Sequence, residues 1–160
     1  MTDEYVLELT RQIDAPPAKV WRCLSEPDLI AQWFAPKPVI TSEVEIDLTP
    51  GGIFSLVMTM PGEAPMREPP GCILVAESNK RLVWTSALAP GFQPHPPHDN
   101  PNDFYMSAEF RLTPKDGGCH YQIRALHPSD AVRKKHDEQY GFFTGWGTAA
   151  DQMAALAKSL

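Results

Sequence analysis

The sequence predicts an α+β fold: a curved antiparallel sheet of about seven strands with helices laid on one face. Three observations predict it. Most of the chain alternates polar and apolar residues in short runs separated by turn residues. Two short apolar patterns of helical spacing follow the first of these runs. One long pattern of the same spacing closes the chain. Strand runs joined by turns pair antiparallel, and helices grouped apart from them cover one side of the sheet.

The elements follow in order. Tyr5, Leu7, Leu9, Arg11 and Ile13 share one face of the first strand. Asp14-Ala-Pro-Pro then opens a helix, with proline at its start and Val20, Trp21 and Leu24 on its apolar face. Ser25-Glu-Pro-Asp28 repeats that signal for a second helix, which carries Leu29, Ile30, Trp33 and Phe34 and stops at Pro36. In the next strand Ile40, Ser42, Val44, Ile46 and Leu48 alternate with Thr41, Glu43, Glu45 and Asp47. After the turn Thr49-Pro-Gly-Gly52, residues Phe54, Leu56, Met58 and Met60 share a face. Cys72–Glu77 and Arg81–Leu88 form two further strands around the turn Ser78-Asn-Lys80. Phe104, Met106, Ala108, Phe110 and Leu112 then lead through the hairpin turn Pro114–Gly118 to Cys119, Tyr121, Ile123 and Ala125. Asp130 is expected to cap a short helix over Ala131–His136. Phe142, Trp146, Ala149, Ala150, Met153, Leu156 and Leu160 mark the long terminal helix. Gly141, Gly145 and Gly147 each weaken its start by about 1 kcal/mol relative to alanine, so close packing or a need for mobility must compensate.

Composition narrows the function. The 160 residues suit one domain, expected to span 1–160, and 42% hydrophobic with 21% charged is a globular balance. A net charge of −6 argues against a nucleic-acid partner. No apolar run reaches the ~18 residues of a membrane helix, so no membrane insertion is expected. The acidic start lacks the features of a signal peptide. Three scattered cysteines form no Cys-x-x-Cys pair, which points to a reduced, cytoplasmic compartment without a disulfide framework or zinc site. Proline is the outlier at 17 residues, more than half of them in Pro61–Pro70 and Pro90–Pro101, which read as long loops.

A long helix across a curved sheet leaves a gap, and that gap is the natural ligand site. Trp33, Phe54, Met58, Trp84, Phe104, Met106, Phe110, Phe142 and Trp146 all fall on faces turned toward it. Tyr121, His127 and His136 are the polar groups expected at its rim. Arg11, in phase with Leu9 and Ile13, needs a partner and is expected to find a salt bridge. His95-Pro-Pro-His-Asp99 has metal-ligating residue types but no rigid element to hold them, so it reads as a solvated loop. Glu43 and Glu45 read as a solvated edge, Arg133-Lys-Lys135 as a helix surface and His120 as an exposed strand residue. No nucleophile elbow, zinc helix motif, Walker loop or dinucleotide fingerprint occurs. We therefore assign no catalytic residue, no metal and no cofactor.

Five stretches in order resemble a known superfamily. They are Arg11-Gln-Ile-Asp-Ala-Pro-Pro-Ala-Lys-Val-Trp21, Pro27-Asp-Leu-Ile-Ala-Gln-Trp-Phe-Ala-Pro36, Asp47-Leu-Thr-Pro-Gly-Gly-Ile-Phe54, Gly71–Val75 with Arg81–Trp84, and Gly145–Met153. Over roughly residues 5–158 the chain resembles the START-like (SRPBCC) superfamily, in its AHSA-like branch, named for an activator of the heat-shock protein 90 ATPase. Thr49 departs from the branch, which commonly has arginine there. The resemblance implies a helix-grip fold, a seven-stranded antiparallel sheet wrapped around the C-terminal helix and enclosing an apolar cavity.

The expected function is binding of a hydrophobic or amphipathic small molecule between sheet and helix, with loop 90–102 as a lid. One alternative is a cyclase-like or isomerase-like enzyme using His127 or His136 as acid or base. The other is a co-chaperone-like interaction module. A homodimer stays open at this level, and a chaperone partner is disfavoured because no room is left for the co-chaperone's additional domain.

Overall fold

A computed structural model describes residues 5–97 and 103–160. The elements are β1 (Val6–Ile13), α1 (Pro17–Ser25), α2 (Pro27–Trp33), β2 (Ile40–Ile46), β3 (Ile53–Thr59), β4 (Met66–Arg67), β5 (Gly71–Glu77), β6 (Arg81–Thr85), β7 (Leu88–Ala89), β8 (Gln93–Pro94), β9 (Ser107–Lys115), β10 (Gly118–Leu126), α3 (Asp130–Lys134) and α4 (Phe142–Ser159). A π-turn over Lys135–Gln139 links α3 to α4. The main sheet runs β1-β10-β9-β6-β5-β3-β2, antiparallel throughout, with β4 added on β3. It is the curled half-barrel of a helix-grip fold, with α4 along its concave side.

Alternation gives the concave face of β9 and β10 to Ala108, Phe110, Leu112, Tyr121, Ile123 and Ala125, all buried. On the opposite face Glu109 is only 4% exposed. Arg81 Nε at 2.6 Å, Arg111 Nε at 3.2 Å and Arg124 Nη1 at 3.3 Å surround its carboxylate. Burial pushes that carboxyl up, but the three guanidinium groups outweigh it and hold the pKa below the usual carboxylate range.

Arg11 finds its partner on α4, with its Nε 2.7 Å from Asp151 Oδ1. This contact accounts for one helix glycine, because a Cβ on Gly147 would come 3.0 Å from Arg11 Nη2. Gly52 is fixed more tightly, since a Cβ there would lie 2.2 Å from the Asp47 carbonyl oxygen across the turn into β3.

Three sequence expectations are corrected. The alternation of β2 does not run unbroken: register shifts between Ser42 and Glu45, with Glu43 at φ 48°. This bulge buries Thr41 and leaves Ile40 60% exposed, while Val44 and Ile46 keep their inward face. The cap of α3 is Ser129, whose Oγ accepts from Val132 N–H at 3.2 Å, and Asp130 instead pairs with Arg133 and Lys134. His120 is half-buried, not exposed.

Candidate functional site

Beneath the first half of α4 lies a cavity of about 380 Å³. Its floor is the concave sheet face: Phe54, Leu56 and Met58 of β3, Trp84 of β6, Phe110 of β9 and Ile123 of β10. Gly145, Trp146, Ala149 and Ala150 of α4 form the roof, one helical turn apart on one side of the helix. A Cβ built on Gly145 meets nothing within 4 Å, so the roof is open beside this glycine. Trp33, Phe34, Ala35 and Pro36 close the α2 side, and Phe104, Tyr105 and Met106 close the side leading into β9.

The mouth has a structural cause. β3 pairs with β5 only through Ile53–Cys72 and Phe54–Gly71. Beyond Phe54 the two strands part, and the proline-rich segment with β4 takes the place of β5 along Val57 and Met58. That segment brings Glu68 and Pro69 to the cavity, opposite Asp103. The Glu68 carboxyl is pushed up, first by burial and then by the charge of Asp103.

Aromatic rings form two groups on the walls. Trp33, Phe34, Phe54 and Trp84 follow one another at centroid distances of 5.7, 5.7 and 5.2 Å. Across the cavity the His136 ring sits against Phe104 at 5.1 Å and Trp146 at 5.5 Å. Trp33 spends its indole N–H on the Cys23 carbonyl at 2.7 Å, and so presents only its apolar surface.

His136 stands on the π-turn and is the inner member of a histidine pair. His127 Nδ1 lies 2.7 Å from the Tyr5 carbonyl oxygen, and His127 Nε2 lies 2.8 Å from His136 Nδ1. Burial lowers the His127 pKa against the opposing bond to Tyr5, with the Arg133 charge adding to the lowering. Burial and then His127 push His136 down to about 4. Both shifts favour the neutral ring at pH 7.

The structure brings Trp33, Phe54, Met58, Trp84, Phe104, Met106, Phe110, His136 and Trp146 to the cavity wall. It places three of the expected residues elsewhere. Tyr121 is sealed in the core, stacked on Phe110 at 6.1 Å, with its hydroxyl unpartnered. His127 sits behind His136, and Phe142 backs the rings of His136 and Trp146. Phe34, Tyr105 and Glu68 line the cavity without having been singled out. Phe34 carried a signal in its helical spacing; the two loop residues carried none.

The proline-rich stretch 90–102 lies partly outside the described residues, since His98, Asp99 and the rest of 98–102 fall there. Of the expected solvated loop, Pro96 and Pro97 are exposed but His95 is not. Leu88–Ala89 and Gln93–Pro94 pair as a small hairpin. His95 is half-buried, with Nε2 2.8 Å from the Pro70 carbonyl oxygen and its ring stacked on Tyr105 at 5.8 Å. Glu43 is exposed, 3.2 Å from Arg67. Among the described residues no helix is long and apolar enough to cross a membrane.

Residues 14–158 match the family of activator of Hsp90 ATPase homolog 1-like proteins. A crystal structure of a Nitrosomonas europaea protein superposes with a TM-score of 0.90 at 38% identity, covering 99% of this chain and 97% of that one. A Chromobacterium violaceum protein superposes at 0.75 with 21% identity, over 96% and 97% of the two chains. A Rhodobacter sphaeroides protein does so at 0.79 with 19% identity, over 98% and 95%. Among curated proteins none matches.

Proposed function

The chain belongs to the family of activator of Hsp90 ATPase homolog 1-like proteins, a ligand-binding type of fold, and from that premise we propose that it binds a hydrophobic or amphipathic small molecule under α4. One observation carries the reading: a cavity of about 380 Å³, walled mainly by aromatic and aliphatic side chains, inside the range of small-molecule sites. Affinity comes from apolar surface withdrawn from water, about 25 cal/mol per Å² before the costs of association. Glu68 and His136 supply polar contacts at the mouth and on the inner wall.

The enzyme alternative asks His136 to exchange protons near neutral pH. Burial holds its pKa down at about 4, whereas efficient acid–base groups sit close to the working pH, which favours the binding reading. The three buried free thiols suit a reducing compartment, and we place the protein in the cytoplasm on that ground.

Native mass spectrometry of protein purified without detergent tests the proposal. The expected result is an apolar adduct on the wild type that is lost from Gly145→Leu. Chain mass alone, together with no binding of naphthalene up to its solubility, overturns it.

A further inference from the structure

The tautomers of the histidine pair follow from one atom. The Tyr5 carbonyl oxygen can only accept, so His127 Nδ1, at 2.7 Å, carries the proton that reaches it. In the neutral form that burial favours, His127 Nε2 has a lone pair and no hydrogen. The 2.8 Å contact to His136 Nδ1 is therefore a bond that His136 donates. A neutral His136 with a proton on Nδ1 has none on Nε2. The chain carbonyl–His127–His136 thus ends in a bare lone pair.

That nitrogen is not closed off. Among the described residues the sealed, unpartnered side-chain atoms are Thr41 Oγ1 and Tyr121 Oη, and His136 Nε2 is not one of them. No partner for it occurs in the described protein, whereas the residue lines the cavity and its Nδ1 side is turned to His127. Phe104, Phe142 and Trp146 pack around the ring at 5.1–5.5 Å between ring centroids and leave it little freedom to turn over.

We infer that His136 Nε2 is a fixed hydrogen-bond acceptor inside the cavity, and that the ligand is an apolar molecule carrying a hydroxyl or N–H donor, of the phenol or aromatic alcohol class. This rests on the cavity-binding reading above and names the chemistry of its ligand. An ether or ketone of the same shape meets lone pair with lone pair and loses the bond. His127 is a positioning residue, because its Nε2 holds the proton of His136 on Nδ1.

Three probes of similar size separate the two claims: naphthalene, 2-naphthol and 2-methoxynaphthalene, titrated against tryptophan fluorescence. Naphthalene reads the cavity alone. The wild type is expected to bind 2-naphthol about fivefold more tightly than either of the others, the worth of one net hydrogen bond. His136→Phe should erase that preference, read as the ratio of 2-naphthol to naphthalene affinity within the same variant. His127→Phe should weaken the preference, and His127→Gln, whose amide oxygen can accept from Nδ1, should restore it. Nitrogen-15 NMR of the unmodified protein checks the tautomer without any ligand: His136 Nε2 should resonate as an unprotonated, pyridine-like nitrogen. A protonated Nε2, or equal affinity for all three probes, overturns the inference and leaves the cavity reading standing. Failure of all three probes to bind overturns both.

Discussion

The two halves of α4 do different work. From Met153 onward the helix is sealed: Met153 and Ala157 are fully buried against a core that includes Leu7, Leu9, Val20 and Leu24. From Gly145 to Ala150 the same helix roofs a hollow, and its neighbours there are aromatic rings that stand on the walls without meeting in the middle. One helix, continuous in its hydrogen bonding, is core at one end and lid at the other. The difference lies in the side chains. Met153 fills its space from within, whereas Gly145 contributes none. Stability and ligand binding are therefore written into separate turns of one element.

Paired truncations give the largest effect. Met153→Ala opens a void in the packed half and should cost about 2–5 kcal/mol in urea unfolding. Met106→Ala only widens a space that already exists and should cost less than about 1 kcal/mol. Equal costs would mean that the two halves are packed alike.

Acid should act on the hollow half first. The folded chain holds His136 at about 4, below its unfolded value of 6.5. Between those values the unfolded chain takes up the proton first, so stability is whole above pH 6.5 and falls as pH drops toward 4. The loss from this group is at most about 3 kcal/mol, and His127 adds in the same direction. Glu109 acts in another window: its lowered pKa keeps its contribution intact above the ordinary carboxylate range and loses it only below. Urea unfolding at pH 7 and pH 5 should thus show a drop that His136→Phe reduces. An identical drop in the variant would place the sensitivity elsewhere.

The same contrast explains how far the sequence could be read. Alternation places a side chain on one face of a strand but says nothing of what lies opposite. Phe110 and Tyr121 share the concave face and stack on each other, yet only Phe110 reaches the cavity. The main strand segments, the two short helices and the roofing helix were legible because each has its own periodicity, whereas the order of strands in the sheet leaves no such trace. The β2 bulge was not, since an extra residue in a ladder leaves no mark on composition. Nor was Glu68, which reaches the mouth because β3 stops pairing with β5 at Phe54–Gly71, a break that no residue pattern marks. The histidines could each be seen, but nothing in their nine-residue separation announces a 2.8 Å contact made through a π-turn.

Filling the hollow half from the roof tests it without disturbing the packed half. Gly145→Leu places a branched side chain where a Cβ meets nothing within 4 Å. It should bind naphthalene at least about tenfold more weakly than the wild type, the loss expected when one side chain takes the space of the ligand. Replacing a helix-interior glycine should also raise stability by about 0.5–1 kcal/mol. Unchanged binding would show that the ligand sits elsewhere, and a large loss of stability would show that the space is not there.

The smallest effect belongs to the sealed side. The Tyr121 hydroxyl is buried without a hydrogen-bond partner, and burial, with Cys119 and Cys23 nearby, holds its pKa well above the usual value. It never ionises in the working range, and what it contributes is the cost of an unsatisfied polar atom. Tyr121→Phe removes that atom and keeps the ring stacked on Phe110. Stability should therefore stay level or rise by up to about 1 kcal/mol, with naphthalene affinity unchanged. A destabilisation of more than about 1 kcal/mol would mean that the hydroxyl has a partner, such as a buried water, and that the packed half is wetter than its side chains imply.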